Sequence, residues 1–318
     1  MSDRALVTGA AGFIGSHLAR RLVADGVEVV GLDDLSDGSL DNLRDSPAVR
    51  FVQADLCDEA AVADAAKGCS AIYHQGAKSS VPRSMEHPGI TTDVNVRGTL
   101  NVLLAAHDAG AVVVAASSSS VYGDQTESPL RETMTPAPQS PYAASKLALE
   151  VYCAGIGLSY GVPTVALRYF NVYGPRQNPE SEYAAVVPRF AVACLTGSRP
   201  ELHGDGEQSR DLIYIDDVVE ANLRAAGAPS EAHGKAFNIG SGEPTSVNEL
   251  LALIATAAGV VLDPVHTGTR AGDVRISQAE VSSAERLLGF APAVPITEGV
   301  HRTVEWFRAS LEEARCKG

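Results

Sequence analysis

The stretch VTGAAGFIGSHLARRL constrains this chain more than any other, because it sets Gly9, Gly12 and Gly15 between an apolar run and a helix-period segment. Glycine permits a tight turn and a close backbone approach. The free N–H groups and positive dipole end of the following helix suit a pyrophosphate. Alone, three glycines describe an ordinary strand-to-helix turn. Here VEVVGLD ends a second apolar run on Asp33, 18 residues after Gly15. A carboxylate at that place accepts the hydroxyls of an adenosine ribose and repels a 2′-phosphate, which favours NAD over NADP, and Asp34 is positioned to share the role. QADL sets Asp55 and Leu56 at a third strand end, suited to an adenine ring.

The pattern around this turn is a recurrent one. RALVTG, VEVVGLD, VRFVQADL, AIYHQGA and AVVVAAS are short β-rich runs, separated by helical stretches from Gly12 to Gly26 and around VNVRGTLNVLLAAHDAG. Such alternation predicts an α/β, Rossmann-type, doubly wound parallel sheet. A further helix is expected over residues 140–160, capped by Ser140 with Pro141 in its first turn, followed by a strand in TVALRYFNVYG. From about Gly174 long polar loops take over, as in a smaller lobe built to close over a ligand. The expected division is residues 1–170 for the dinucleotide lobe and 171–318 for an interleaved substrate lobe, with 212–241, including KAFNIGSG, returning to the first sheet.

A net charge of −14 argues against a nucleic-acid surface, which needs clustered Lys and Arg. The N-terminus has no signal-peptide pattern and no segment reaches a bilayer-spanning apolar length, so no membrane partner is expected and the chain reads as cytoplasmic. Cys57, Cys69, Cys153, Cys194 and Cys316 are scattered without metal-ligand spacing, so no metal is expected.

PYAASKLALE places Tyr142 and Lys146 four residues apart on one face of the predicted helix. An ammonium and an oxidised nicotinamide would each favour phenolate, making a proton relay beside a hydride acceptor. A Tyr-x-x-x-Lys spacing is also common on surface helices; the preceding dinucleotide turn and the hydroxyl run SSSS at residues 117–120 distinguish this one.

GAAGFIG, SSSSVYGD and YAASK, continued by RYFNVYGPRQ, GDGEQSRDLIYIDDV, FNIGSG and RAGDVRIS, resemble the extended short-chain dehydrogenase/reductase family over nearly the whole chain. That family comprises NAD-dependent nucleotide-sugar epimerases, dehydratases, decarboxylases and reductases. The resemblance implies a cofactor site of Gly9, Gly12, Phe13, Ile14, Gly15, Asp33, Asp34, Asp37, Gly38, Asp55, Leu56, Gln75, Gly76, Ala77, Asn95, Ser117, Tyr142, Lys146 and Tyr169. It implies catalysis by Ser118, Tyr142 and Lys146. Ser80, Ser118, Ser119, Ser120, Tyr142, Asn171, Ala185, Val186, Arg210, Arg270, Asp273 and Ser277 would bind a UDP-sugar. The family often pairs two copies through helices that fall here near residues 98–109 and 141–158, so a homodimer is expected.

Ser119 and Ser120 stand where relatives that eliminate water carry an Asp–Glu pair, and without that acid an expelled hydroxyl has no proton donor. Reversible oxidation at the sugar's C4 is left, hence 4-epimerisation. Ser277 replaces the bulky Tyr of some glucose/galactose-restricted relatives. HQGAKSSVPRS and GPRQNPESEYAAVVPRF look more like bacterial UDP-N-acetylglucosamine 4-epimerases. UDP-GlcNAc/UDP-GalNAc is therefore the first expectation, ahead of UDP-Glc/UDP-Gal. A UDP-glucuronate 4-epimerase, with Arg176 or Arg189 meeting the carboxylate, a dehydratase or decarboxylase, and a non-catalytic NAD sensor or scaffold are the rivals. His74 reads as a core histidine, while Lys78 stands where small or apolar residues are usual and faces either a cofactor phosphate or solvent.

Overall fold

The glycine turn begins a seven-stranded parallel sheet. In a computed structural model, which describes residues 3–179, 186–261, 263–268 and 275–317, strands β1 (Arg4–Thr8), β2 (Glu28–Asp33), β3 (Arg50–Gln53), β4 (Ala71–His74), β5 (Val112–Ser118) and β6 (Thr164–Tyr169) form its body. Helices α1 (Phe13–Ala24), α2 (Glu59–Ala66), α3 (Val81–Glu86), α4 (Pro88–Thr92), α5 (Gly98–Ala109) and α6 (Pro141–Tyr160) connect them. The β-rich runs are buried on both faces, as parallel strands covered by helices must be. Leu6, Val30, Ile72 and Val113 pack with Val62, Leu103 and Leu149 from α2, α5 and α6 on one side.

Beyond β6 the chain crosses between two sheets. β7 (Asn171–Tyr173), α7 (Val186–Thr196), β8 (Glu201–His203) and β9 (Ser209–Tyr214) belong to the second lobe, and α8 (Ile215–Ala226) then packs beside α1. β10 (Lys235–Ile239) pairs in parallel with β6, giving the order β10-β6-β5-β4-β1-β2-β3. Of the stretch 212–241, residues 212–214 therefore lie in the second sheet, and the return to the first is made by α8 and β10. The rest of the chain supplies β11 (Pro244–Ser246), α9 (Val247–Ala258), β12 (Val265–Thr267), β13 (Ile276–Ser277), α10 (Ser282–Leu288) and α11 (Ile296–Lys317). β9 is the hub of the second sheet, with β11 antiparallel and β7 and β13 parallel to it. None of the described helices is long and apolar enough to cross a membrane.

Local chemistry positions the elements that matter for the site. The Ser140 side chain accepts from the Ala143 N–H and Pro141 opens α6, so Tyr142 sits in a capped first turn. Strand order reverses between β1 and β4, which opens a crevice at their carboxyl ends. Gly9 lies there at φ 67°, and a Cβ on it would stand 2.7 Å from the Gly76 nitrogen at the end of β4. Only glycine at both places lets the two strand ends meet.

Candidate active site

A cleft of about 350 Å³ opens at that crevice. Gly9, Gly12, Phe13, Ile14 and Gly15 form its floor; Asp33, Asp34, Asp37 and Gly38 one rim; Asp55, Leu56, Gln75, Gly76 and Ala77 the other. The turn is closed to any side chain: a Cβ at Gly15 would fall 2.0 Å from the Gly9 carbonyl oxygen. One Asp33 carboxylate oxygen accepts from the Ala11 N–H at 3.0 Å and the other from the Leu35 N–H at 2.8 Å. Burial pushes its pKa above the ordinary value, against the downward pull of those two bonds. A cleft lined by the bare backbone of a glycine turn and by an oriented carboxylate fits a dinucleotide.

Lys78, one of whose two expected surroundings was a cofactor phosphate, lines this cleft, and so does Arg176, expected instead only as a partner for a uronate carboxylate; Asn42 and Arg83, which the sequence did not single out, line it too. Lys78 meets neither solvent alone nor an open phosphate position, because its ammonium lies 3.3 Å from Asp34 and 3.7 Å from Asp37. Arg176, in a left-handed conformation at φ 69°, pairs with Asp45 at 2.8 Å and donates to the Asn42 carbonyl. Pairs that join a cation to an acid far away in the chain, as Lys78 to Asp34 and Arg176 to Asp45, carry no pattern that a single sequence reveals.

At the end of β5, Ser118, Tyr142 and Lys146 come together. Ser118 lies beside the Tyr142 phenol and acts to lower its pKa. The Lys146 ammonium is buried, donates to the Ala116 carbonyl at 2.7 Å and lies 5.9 Å from the Tyr142 ring centre. Burial lowers the Lys146 pKa to about 8. Here the structure departs from expectation. Burial also raises the Tyr142 phenol above its ordinary value, opposed only by Ser118, since the lysine points to a strand carbonyl and is itself desolvated. The positive charge that favours phenolate must come chiefly from a bound group.

Ser119 and Ser120 begin a short 3-10 turn whose N-cap is Ser118. The Ser120 hydroxyl is buried without a hydrogen-bond partner among the described residues, which marks it as waiting for a ligand or water. His74 is a satisfied core side chain. Its ring nitrogens bond Thr8 at 2.8 Å and Thr99 at 3.0 Å, and burial, aided by the charge on Lys146, lowers its pKa to about 3.

Four side chains expected at ligand positions are engaged elsewhere. Ser117 donates to Glu150, which grips Arg168 with two bonds of 2.8 and 2.7 Å. The Tyr169 hydroxyl accepts from the Asn222 amide at 2.8 Å and donates to Gln75 at 3.1 Å. Asn95 bonds both the N–H and the C=O of Lys78, and also Ser145. Ser80 caps α3 and faces the first cleft. These bonds within the protein fix the orientation of each group, and Ser80 also lines the cleft.

A second cleft of about 250 Å³ lies in the other lobe, lined by Asn171, Val186, Arg189, His203 and Arg210. Asn171 donates to the Asp211 carbonyl at 3.0 Å, and Ser277 sits in register with Arg210 on the neighbouring strand. On the neighbouring segments, Asp211 is held by Ser241, Gly242 and Ala279, and Asp216 pairs with Arg302. His203, with its buried Nε2 unpartnered among the described residues, was not foreseen. Ala185, Arg270 and Asp273 lie outside the described residues. No group of three or more His, Cys, Asp or Glu suited to a metal occurs among the described residues.

Comparison with known proteins fits this geometry. The model of the NAD dependent epimerase/dehydratase family matches residues 5–240. A UDP-glucose 4-epimerase of Mycolicibacterium smegmatis is 43% identical over 311 residues, covering 96% of this chain and 98% of that protein. Among solved structures, the UDP-N-acetylglucosamine 4-epimerase of Methanobrevibacter ruminantium in complex with UDP-N-acetylmuramic acid superposes with a TM-score of 0.92 at 35% identity, covering 97% of this chain and 99% of that one. The UDP-glucose 4-epimerase of Thermus thermophilus in complex with NAD gives 0.87 at 38%, covering 96% and 99%.

Proposed function

The chain belongs to the NAD-dependent epimerase/dehydratase family, and from that premise we propose that it is a UDP-hexose 4-epimerase. The observation that carries the reading is the pairing of Ser118 with Tyr142 beside the buried Lys146, at a strand end where Ser119 and Ser120 stand. NAD⁺, when bound, supplies the reversible oxidising capacity at the sugar's C4. Asp33 would take the adenosine ribose and the N-terminus of α1 the pyrophosphate.

Tyr142 removes the O4 proton as C4 is oxidised and returns it after the 4-keto sugar has turned its other face. Ser118 orients O4 and shares the proton's hydrogen bond. Lys146 would hold the nicotinamide ribose, and its ammonium would add to the bias toward phenolate that comes chiefly from the bound oxidised nicotinamide. Elimination needs a group to protonate the leaving hydroxyl, and two serines with ordinary alcohol acidity do not provide it. Arg210 and Asn171, which line the second cleft, would bind the diphosphate.

Substrate choice follows from Ser277. Its short side chain, in register with Arg210, leaves room for an N-acetyl group, so UDP-GlcNAc/UDP-GalNAc is the preferred pair, with UDP-Glc/UDP-Gal accepted as well. For a uronate, Arg176 is engaged by Asp45 and Asn42, which argues against it as the carboxylate's partner. Val151 and Leu158 are exposed on α6, consistent with a homodimer through that helix. The test is incubation with UDP-GlcNAc, UDP-Glc and UDP-GlcA, followed by NMR and mass analysis. A C4 epimer of unchanged mass is expected; loss of water or CO₂ would overturn the reading.

A further inference from the structure

Lys78 is the cleft residue that the proposed chemistry leaves without a task. It follows β4, on the rim opposite the acids that follow β2, and its ammonium crosses to them, 3.3 Å from Asp34 and 3.7 Å from Asp37, with Ser36 also in contact. Arg83, on α3, adds a second bridge to Asp37 at 2.8 Å. All these side chains line the same cleft. We propose that Lys78 and Arg83, paired with Asp34 and Asp37, form a clasp across the adenosine end of the cleft that limits the rate at which bound dinucleotide leaves. The inference rests on the dinucleotide reading above.

Both halves of the clasp are held in place from behind. The Lys78 N–H and C=O are fixed by Asn95 at 2.7 and 3.0 Å, and Asn95 is tied to Ser145 on the catalytic helix α6 at 2.9 Å. Ser84, next to Arg83, accepts from the Tyr142 N–H at 3.1 Å. On the other rim, Leu35 adopts a left-handed φ of 61° and donates its N–H to Asp33, a turn that folds Asp34 and Asp37 back toward Lys78. A non-glycine residue held there costs conformational energy, so the surrounding bonds must enforce it.

The ion pairs cross the opening, so a molecule lying beneath them leaves only after they part. Each is partly exposed, with side-chain exposures of 24% for Lys78, 33% for Asp34, 49% for Asp37 and 52% for Arg83. Pairs of this kind are each worth a factor of about 1.4 to 5 in an equilibrium, and they weaken as salt screens them. Their number, and the fixed backbones, make the effect measurable.

The test uses holoenzyme loaded with radiolabelled NAD⁺ and chased with unlabelled NAD⁺ at several salt concentrations. Wild type should release label slowly, and faster as NaCl rises. Lys78→Met should release it about fivefold to tenfold faster at low salt, with a shallower salt dependence than wild type, the remaining slope coming from the Arg83–Asp37 pair. Lys78→Arg should restore slow, salt-sensitive release. Asn95 bonds only the backbone of residue 78, so the fold keeps its anchor in each variant. A Met variant with the wild-type rate, or a faster one that keeps the wild-type salt slope, would overturn the clasp. Wild-type protein that retains and binds no NAD⁺ would overturn the dinucleotide reading as well, and the absence of any release curve tells that failure apart.

Discussion

Tyr142 and Lys146 show how one helical spacing leads to two different electrostatic situations. Both side chains lie on the face of α6 turned to β5, yet the lysine ends on the Ala116 carbonyl and the tyrosine on Ser118. Replacing Tyr142 with Phe should lower turnover by roughly 10³-fold while leaving NAD⁺ binding intact, read by steady-state kinetics and cofactor titration. The lysine makes a stability prediction. Its pKa falls from 10.5 unfolded to about 8 folded, so below pH 8 the buried charge opposes folding by a constant amount. Between about 8 and 10.5 the unfolded chain binds the extra proton, and stability gained from this group rises with pH. Lys146→Met should therefore melt higher than wild type at pH 7, with the gap closing across that window. A gap that is constant from pH 7 to 10.5 would sink the assignment. Tyr142 and Lys146 were legible in the sequence because a period of 3.6 residues places i and i+4 together. Their acidities were not legible, since desolvation depends on what the other strands bring near them.

Among the elements, the turn from β1 into α1 and the end of β5 determine the chemistry. At Gly15 a Cβ would stand 2.0 Å from the Gly9 carbonyl oxygen and 3.1 Å from the Ala10 Cα. Gly15→Ala should destabilise the protein by about 1–3 kcal/mol through overpacking, and the protein should purify with little or no NAD. Thermal melting and the cofactor content of the purified protein check both halves. The glycine spacing was readable directly, because backbone approach excludes every other side chain. The short helices α3 and α4 were not expected, since VPRSME and PGITT are too short for a clear helical period. Ser117 shows what the sequence does not separate. Adjacent to Ser118, it turns its hydroxyl to the buried Glu150–Arg168 pair, whose side chains are only 9% and 6% exposed. A row of hydroxyls looks uniform in sequence, and strand alternation divides it.

At the scale of the whole molecule, Asp211 joins the two lobes. It sits fully buried on β9 of the smaller sheet and accepts from Ser241 at 2.6 and 2.8 Å, and from Gly242 and Ala279 at 2.9 Å each. Ser241 and Gly242 directly follow β10 of the larger sheet, so one carboxylate sets the angle at which Arg210 and Asn171 face the second cleft. Asp211→Asn puts an amide N–H₂ against backbone donors and should cost on the order of 3 kcal/mol. The KM for UDP-sugar should rise more than kcat falls; kinetics in which only kcat changes would remove this joint from substrate binding. By itself the sequence determined the parallel sheet, its glycine turn and the Tyr-Lys helix, because periodicity, turn chemistry and close backbone approach are local properties. Only the tertiary structure decided that Lys78 spans the cleft to Asp34 and Asp37, that Arg176 reaches Asp45, and that Asp211 joins two sheets. Each of these joins residues far apart in the chain, and ion pairs and hydrogen bonds of that kind exist only once packing has set the distance.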